Sequence, residues 1–87
     1  MPIRRSRRFS RAYLELPPHI RAKMDRALRL LDADFRHPGL QSRLIRGTDG
    51  IYEARVDQHY RLTYERREGD ILYLRTVGHH DETLRNP

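Results

Sequence analysis

The sequence predicts an α+β fold: an N-terminal helical hairpin packed on an antiparallel β-sheet meander, with a short C-terminal helix. Two observations carry that prediction. Apolar residues recur with a helical period in the first half of the chain and alternate as in strands after residue 50. The strand-like runs are joined by connections too short for parallel neighbours, which leaves hairpins. No repeat, low-complexity segment or linker interrupts the 87 residues, so residues 1–87 read as one domain.

Taken in order, Ile3 to Arg8 are arginine-rich and weakly alternating, which predicts a short edge strand kept soluble by charge. Phe9, Ala12, Tyr13 and Leu16 fall at i, i+3, i+4 and i+7, one face of a short helix. Pro17-Pro18 ends it, and Pro18 suits the first turn of the next. There Ile20, Met24, Ala27, Leu28 and Leu31 form an apolar stripe, with Arg21, Lys23, Asp25, Arg26 and Arg29 mostly outside it. His37-Pro38-Gly39 marks the exit into a loop.

Residues 51–56, 60–65 and 71–77 are rich in β-branched and aromatic side chains and predict three strands. Asp57-Gln58-His59 and Glu68-Gly69-Asp70 connect them, Gly69 being free to take positive φ. Alternation puts Tyr52, Ala54, Val56, Leu62 and Tyr64 on one face, toward the helices. Glu53, Arg55, Arg61, Thr63 and Glu65 take the other, so Arg55 and Arg61 stand on neighbouring strands and converge on one anion. Residues 79–86 predict a last short helix, with Asp81 near its positive end.

Eighteen Lys plus Arg against 12 Asp plus Glu give a net charge of +6, and Lys23 is the single lysine. Arginine pairs with phosphate in a bidentate manner, so the bias suits nucleic acid; an acidic protein would meet the same surface equally well. The absence of cysteine excludes disulfides and thiolate metal sites. No apolar h-region opens the chain and no run approaches the roughly 20 apolar residues of a membrane span, so a soluble, cytoplasmic protein without a membrane partner is expected.

The segments Leu44-Ile45-Arg46-Gly47, Gly50-Ile51-Tyr52-Glu53-Ala54-Arg55-Val56, Tyr60-Arg61-Leu62-Thr63-Tyr64 and Val77-Gly78-His79-His80, in that order and spacing, resemble the RelE/ParE toxin superfamily of type II toxin-antitoxin systems. The resemblance covers nearly the whole chain. It implies a sheet with a helical hairpin on one face and a concave active surface on the other. RelE-like members are ribosome-dependent messenger RNA endoribonucleases; ParE-like members inhibit DNA gyrase; both are neutralised by a cognate antitoxin. A relative that keeps antitoxin binding without toxicity is a further alternative.

By the same resemblance, Arg61 matches the strand arginine that contacts the scissile phosphate, and Arg55 a basic position beside it. His80 stands where ribonuclease members place Arg or His near the leaving group, as in the YafQ-like branch, with His79 the adjacent alternative. The catalytic set is therefore Arg61, His80 and Arg55, with Glu53 or His79 assisting as base. Arg43, Arg46, Arg55, Arg61 and Arg75 are the RNA-binding candidates. No cofactor is expected.

The chain departs from the family in three places. Glu53 occupies the position of a RelE lysine. Ser42 and Arg43 fill the region where the YoeB-like branch has a glutamate. The final residues lack the catalytic aromatic of some members.

Chemically, such cleavage needs a base for the 2′-hydroxyl, an acid for the 5′-oxygen and positive charge for the phosphate; histidine and arginine supply these types. His79-His80 does not read as a metal site, because adjacent side chains diverge and no cysteine supports them. His19, His37 and His59 read as surface or turn residues. Tyr52, Tyr60, Tyr64 and Tyr73 are stacking candidates for bases, though strand aromatics are usually core.

Overall fold

The computed structural model describes residues 2–87. In chain order its elements are β1 (Ile3–Arg5), α1 (Arg7–Glu15), α2 (Pro18–Ala33), a 3-10 turn (Pro38–Leu40), β2 (Arg43–Leu44), β3 (Ile51–Arg55), β4 (Tyr60–Arg67), β5 (Ile71–His79) and α3 (His80–Arg85). One sheet holds all five strands in the order β1-β5-β4-β3-β2. The meander β3-β4-β5 is antiparallel as its short turns require, and β2 joins β3 antiparallel. The edge strand β1 runs parallel to β5, so the sheet as a whole is mixed. No tight turn connects β1 to its partner, so nothing local forces the antiparallel arrangement there.

The edge strand is also shorter than its composition suggests. It stops at Arg5 because Ser6 caps α1: the Ser6 hydroxyl accepts from the Phe9 N–H at 3.0 Å and donates to the Arg75 carbonyl at 2.9 Å. Arg7 and Arg8 thereby fall in the first helical turn. One side chain caps a helix and ties it to β5. Ser6→Ala is expected to cost about 1 kcal/mol, a fall in melting temperature of about 4–8 °C for a domain of this size, read by thermal unfolding.

Leu16 and Pro17 break the chain between the helices, and Pro18 opens α2. The Tyr13 hydroxyl donates to Asp25 Oδ1 at 2.7 Å, fixing one helix to the other. The core then forms as the periodicity requires. Phe9, Ile20, Met24, Ala27 and Leu31 from the helices meet Ala54, Leu62, Tyr64, Leu72, Leu74 and Val77 from the sheet, all buried. Tyr64 is fully buried and stacks on Tyr52 at 5.4 Å. Burial pushes its hydroxyl pKa up. Tyr64 is a core residue, not a platform for bases.

A bulge in β5 sets which residues face out. Thr63 opposes Thr76 but Tyr64 opposes Leu74, so Arg75 is the extra residue. Strict alternation from Leu72 and Leu74 would have turned Thr76 inward and Val77 outward. The extra residue reverses this, keeping Val77 in the core and Thr76 beside Thr63 on the face away from the helical hairpin, where both are buried. At the β4-β5 connection Gly69 and Asp70 both hold positive φ, 79° and 58°. This lets β4 and β5 pair out to Arg67 and Ile71.

Candidate active site

The site is built on the face of the sheet away from the α1-α2 hairpin, at the end where β3 turns into β4. Asp57 shapes that turn: its carboxylate accepts from the main-chain N–H groups of His59 and Tyr60, both at 2.9 Å, and meets Lys23 of α2 at 3.3 Å. Burial alone would raise the Asp57 pKa, but the two N–H donors and Lys23 outweigh it and hold the carboxyl below its ordinary value. The turn is thus fastened to the helical layer by an anion that accepts three donors.

Arg61 is the residue this turn organises. Its Nη1 donates to the carbonyls of Asp57 at 2.7 Å and Tyr60 at 3.0 Å, while its Nε faces Glu53 Oε1 at 3.9 Å. The same Oε1 lies 3.4 Å from Arg43 Nε. Glu53 is buried between two guanidiniums and holds them side by side. Such a carboxylate is suited to positioning arginines. Arg55 stands directly across from Arg61 in the β3-β4 register. No carboxylate pairs with it among the described residues. Arg43, Arg55, Arg61, Glu53 and Gln41 line a cleft of about 110 Å³, with three guanidiniums against one carboxylate. Gln41 holds φ 46°, a left-handed conformation that costs a non-glycine residue about 1–2 kcal/mol.

The histidines begin immediately past this row. Arg61 opposes Gly78 and Tyr60 opposes His79, and the His80 N–H donates to the His59 carbonyl at 2.8 Å. Gly78 makes the approach of α3 possible, because a Cβ there would lie 2.8 Å from Thr83 Oγ1. His79 ends β5 and His80 starts α3. The strand-to-helix change between them turns the two rings together, with centroids 4.6 Å apart. The expectation that these neighbours diverge is therefore corrected. His80 Nδ1 lies 3.0 Å from Asp81 Oδ1.

No family model and no curated protein matches the sequence. Solved structures do match it along nearly its full length. A YoeB/ParE toxin from Agrobacterium tumefaciens superposes with a TM-score of 0.76 at 14% identity, over 92% of this chain and 99% of that one. YafQ from E. coli gives 0.74 at 19% identity, over 92% and 93%. The RelB-RelE antitoxin-toxin complex from Methanococcus jannaschii gives 0.73 at 21% identity, over 91% and 92%. The chain has the fold of the RelE/ParE toxins.

Within this RelE-like fold the five catalytic candidates occupy one end of the sheet: Arg55, Arg61 and Glu53 in the cleft, His79 and His80 beyond it. Of the RNA-binding candidates, Arg43 joins them. Arg46 does not: it lies in the loop after β2, beside the opposite end of β3, since Ile45 pairs with Ile51 there. Arg75 is committed elsewhere, donating to Glu65 at 2.6 Å and to the Pro87 carbonyl at 3.0 Å.

Glu65 also accepts from Arg67 at 2.6 Å. Its burial favours a raised pKa, but these two arginines outweigh it and hold the carboxyl below its ordinary value. A depressed carboxyl stabilises the fold above its unfolded pKa, and that contribution is lost as pH falls through the folded value. Glu65→Gln is therefore expected to melt below wild type at neutral pH, the gap closing in acid. A gap independent of pH would sink this assignment.

Three residues near the site carried no signal in strand alternation. Lys23 and Arg26 of α2 share with Arg55 a second, larger cleft of about 300 Å³ on the helical side. His59, which reads as a turn residue, stacks against both His79 and His80, at 6.0 and 6.5 Å. Among the described residues no helix is long and apolar enough to cross a membrane.

Proposed function

We propose that the protein is the toxin of a type II toxin-antitoxin module, a ribosome-dependent endoribonuclease that cuts messenger RNA in the cytoplasm and is silenced by a cognate antitoxin. The observation that carries this reading is the arginine cleft of a RelE-like sheet at the end where β5 passes through His79 into His80. Complexes of such toxins with antitoxins are known in the same fold.

Arg61 and Arg55 bind the scissile phosphate, with Arg43 at the rim. Glu53 positions Arg43 and Arg61, and the carbonyls of the β3-β4 turn fix the Arg61 plane. Attack of the 2′-oxygen on phosphorus, its proton taken by His79 as base, forms one P–O bond and breaks that to the 5′-oxygen. The negative charge that builds on the equatorial oxygens meets guanidiniums already in place, so little reorganisation is needed as it develops. His80, held through Nδ1 by Asp81, protonates the departing 5′-oxygen through Nε2. The ribosome supplies alignment of the 2′-oxygen, phosphorus and leaving group, itself worth several kcal/mol.

The test is induction of the chain followed by mapping of message ends on ribosomes, alongside a gyrase supercoiling assay. Cuts in phase with codons support the reading. Intact messages with arrested supercoiling overturn it in favour of a gyrase-directed toxin.

A further inference from the structure

We propose that His59, His79 and His80 form a binding site for one divalent late first-row transition-metal ion, of the zinc class. Each offers one ring nitrogen, and the three nitrogens lie within 4.8 Å of one another. In a tetrahedral centre with metal–nitrogen bonds of about 2.0–2.1 Å, ligand nitrogens stand about 3.4 Å apart, so the widest spacing needs to close by at most about 1.4 Å. Side-chain rotation supplies that, since His59 and His79 are exposed.

The backbone is already arranged for it. His79 lies twenty positions after His59 in sequence, yet the His80 N–H donates to the His59 carbonyl at 2.8 Å and Tyr60 pairs with His79. The three ligands thus come from a turn fixed by Asp57 and from the β5-α3 junction closed by Gly78.

A second observation points the same way. His80 Nδ1 meets the Asp81 carboxylate at 3.0 Å, the outer-shell contact that fixes a ligating imidazole and leaves Nε2 for the ion. Asp81 also brings negative charge to a site whose neutral imidazoles bring none. Three imidazoles without a cluster of carboxylates select zinc, copper or nickel over magnesium or calcium. Three ligands leave a fourth position open to water.

The consequence for cleavage rests on the ribonuclease reading: an ion on His80 Nε2 occupies the nitrogen that would deliver the proton, so the loaded chain is the silent one. The experiment is calorimetric titration of the chelator-treated protein with zinc sulfate and, separately, magnesium sulfate, with cleavage measured on ribosomes in zinc and in chelator. One zinc per chain, no response to magnesium, and at least tenfold weaker zinc binding in both His59→Ala and His79→Ala are expected. Circular dichroism and melting of the metal-free variants show whether they keep the fold. His59→Gln, which keeps a polar side chain in the turn, replaces any variant that does not.

Absence of stoichiometric binding, or binding that survives loss of His59, overturns the site. Cleavage lost in zinc and restored by chelator supports the consequence. Equal cleavage in both, with zinc bound through these histidines, removes His80 from proton transfer and leaves the metal site standing. A chain that cuts in neither condition sinks the ribonuclease reading, while calorimetry still decides the metal.

Discussion

Arg61→Ala is expected to lower ribosome-stimulated cleavage of messenger RNA by about 10²–10³-fold, the loss typical when one preorganised group is removed from a developing oxyanion. Arg61 is more exposed to this effect than Arg55 because its guanidinium is fixed before substrate arrives, by two turn carbonyls and by Glu53. The same anchoring gives it a structural role, so melting must be followed beside activity. Two further variants separate the roles. Arg61→Lys keeps the charge but cannot bond the turn carbonyls and a phosphate in one plane, and is expected to recover only part of the rate. Arg55→Ala removes a guanidinium with no carboxylate partner among the described residues, so it should lose cleavage with little change in melting. If Arg61→Ala cuts at the wild-type rate, the phosphate-binding assignment is wrong. If its loss merely parallels unfolding and Arg55→Ala remains fully active, the cleft serves the fold and not the reaction.

The sequence and the structure agree where one physical pattern dominates. The stripe of Ile20, Met24, Ala27 and Leu31 needed only the helical period, and all four are buried. The pairing of Arg55 with Arg61 needed only alternation and a three-residue turn, and the register has it so. Disagreement arises where a long-range partner decides. Ser6 reads as part of an arginine-rich strand until the Arg75 carbonyl is seen to receive its hydroxyl. Strand β2, two residues long, exists only because β3 offers Glu53 and Tyr52 as partners, and no period can be read from Arg43 and Leu44.

The site was legible in the same uneven way. Residue types and order indicated Arg55, Arg61, Glu53 and His80, because each stands on or next to a regular element. Arg75 and Arg46 looked equivalent to them as basic residues. Their separation depends on which end of a strand they occupy and on what else claims the guanidinium, and Arg75 is claimed by Glu65 and Pro87. The contacts of His59 with His79 and His80 were hidden for the opposite reason. They follow from a turn and a strand end meeting in space, and a lone turn histidine gives no local sign of that. The ring contact of His79 with His80 likewise depends on a strand ending and a helix beginning between two consecutive residues.

His80→Ala is expected to slow cleavage by about 10²–10⁴-fold, the range for loss of a positioned proton donor. Its fold should survive: His80 opens the six-residue α3, its main-chain N–H still bonds the His59 carbonyl, and α3 is held by Thr83 against Gly78. The alternative is that His80 only orders the β5-α3 junction, in which case the loss reflects misplaced substrate. The two are separated by the leaving group. A message carrying a bridging 5′-sulfur at the scissile position departs as a thiolate and needs no proton. If His80 is the acid, this substrate restores most of the rate to His80→Ala, while Arg61→Ala stays slow because charge still builds on the non-bridging oxygens. If the sulfur substrate leaves His80→Ala as slow as before, proton delivery is not what His80 contributes. Asp81→Asn supplies the graded case: it weakens the contact that holds Nδ1 at 3.0 Å without removing the imidazole. Its loss should therefore be smaller than that of His80→Ala and vanish on the same sulfur substrate, because an outer-shell carboxylate acts only through the proton it helps deliver.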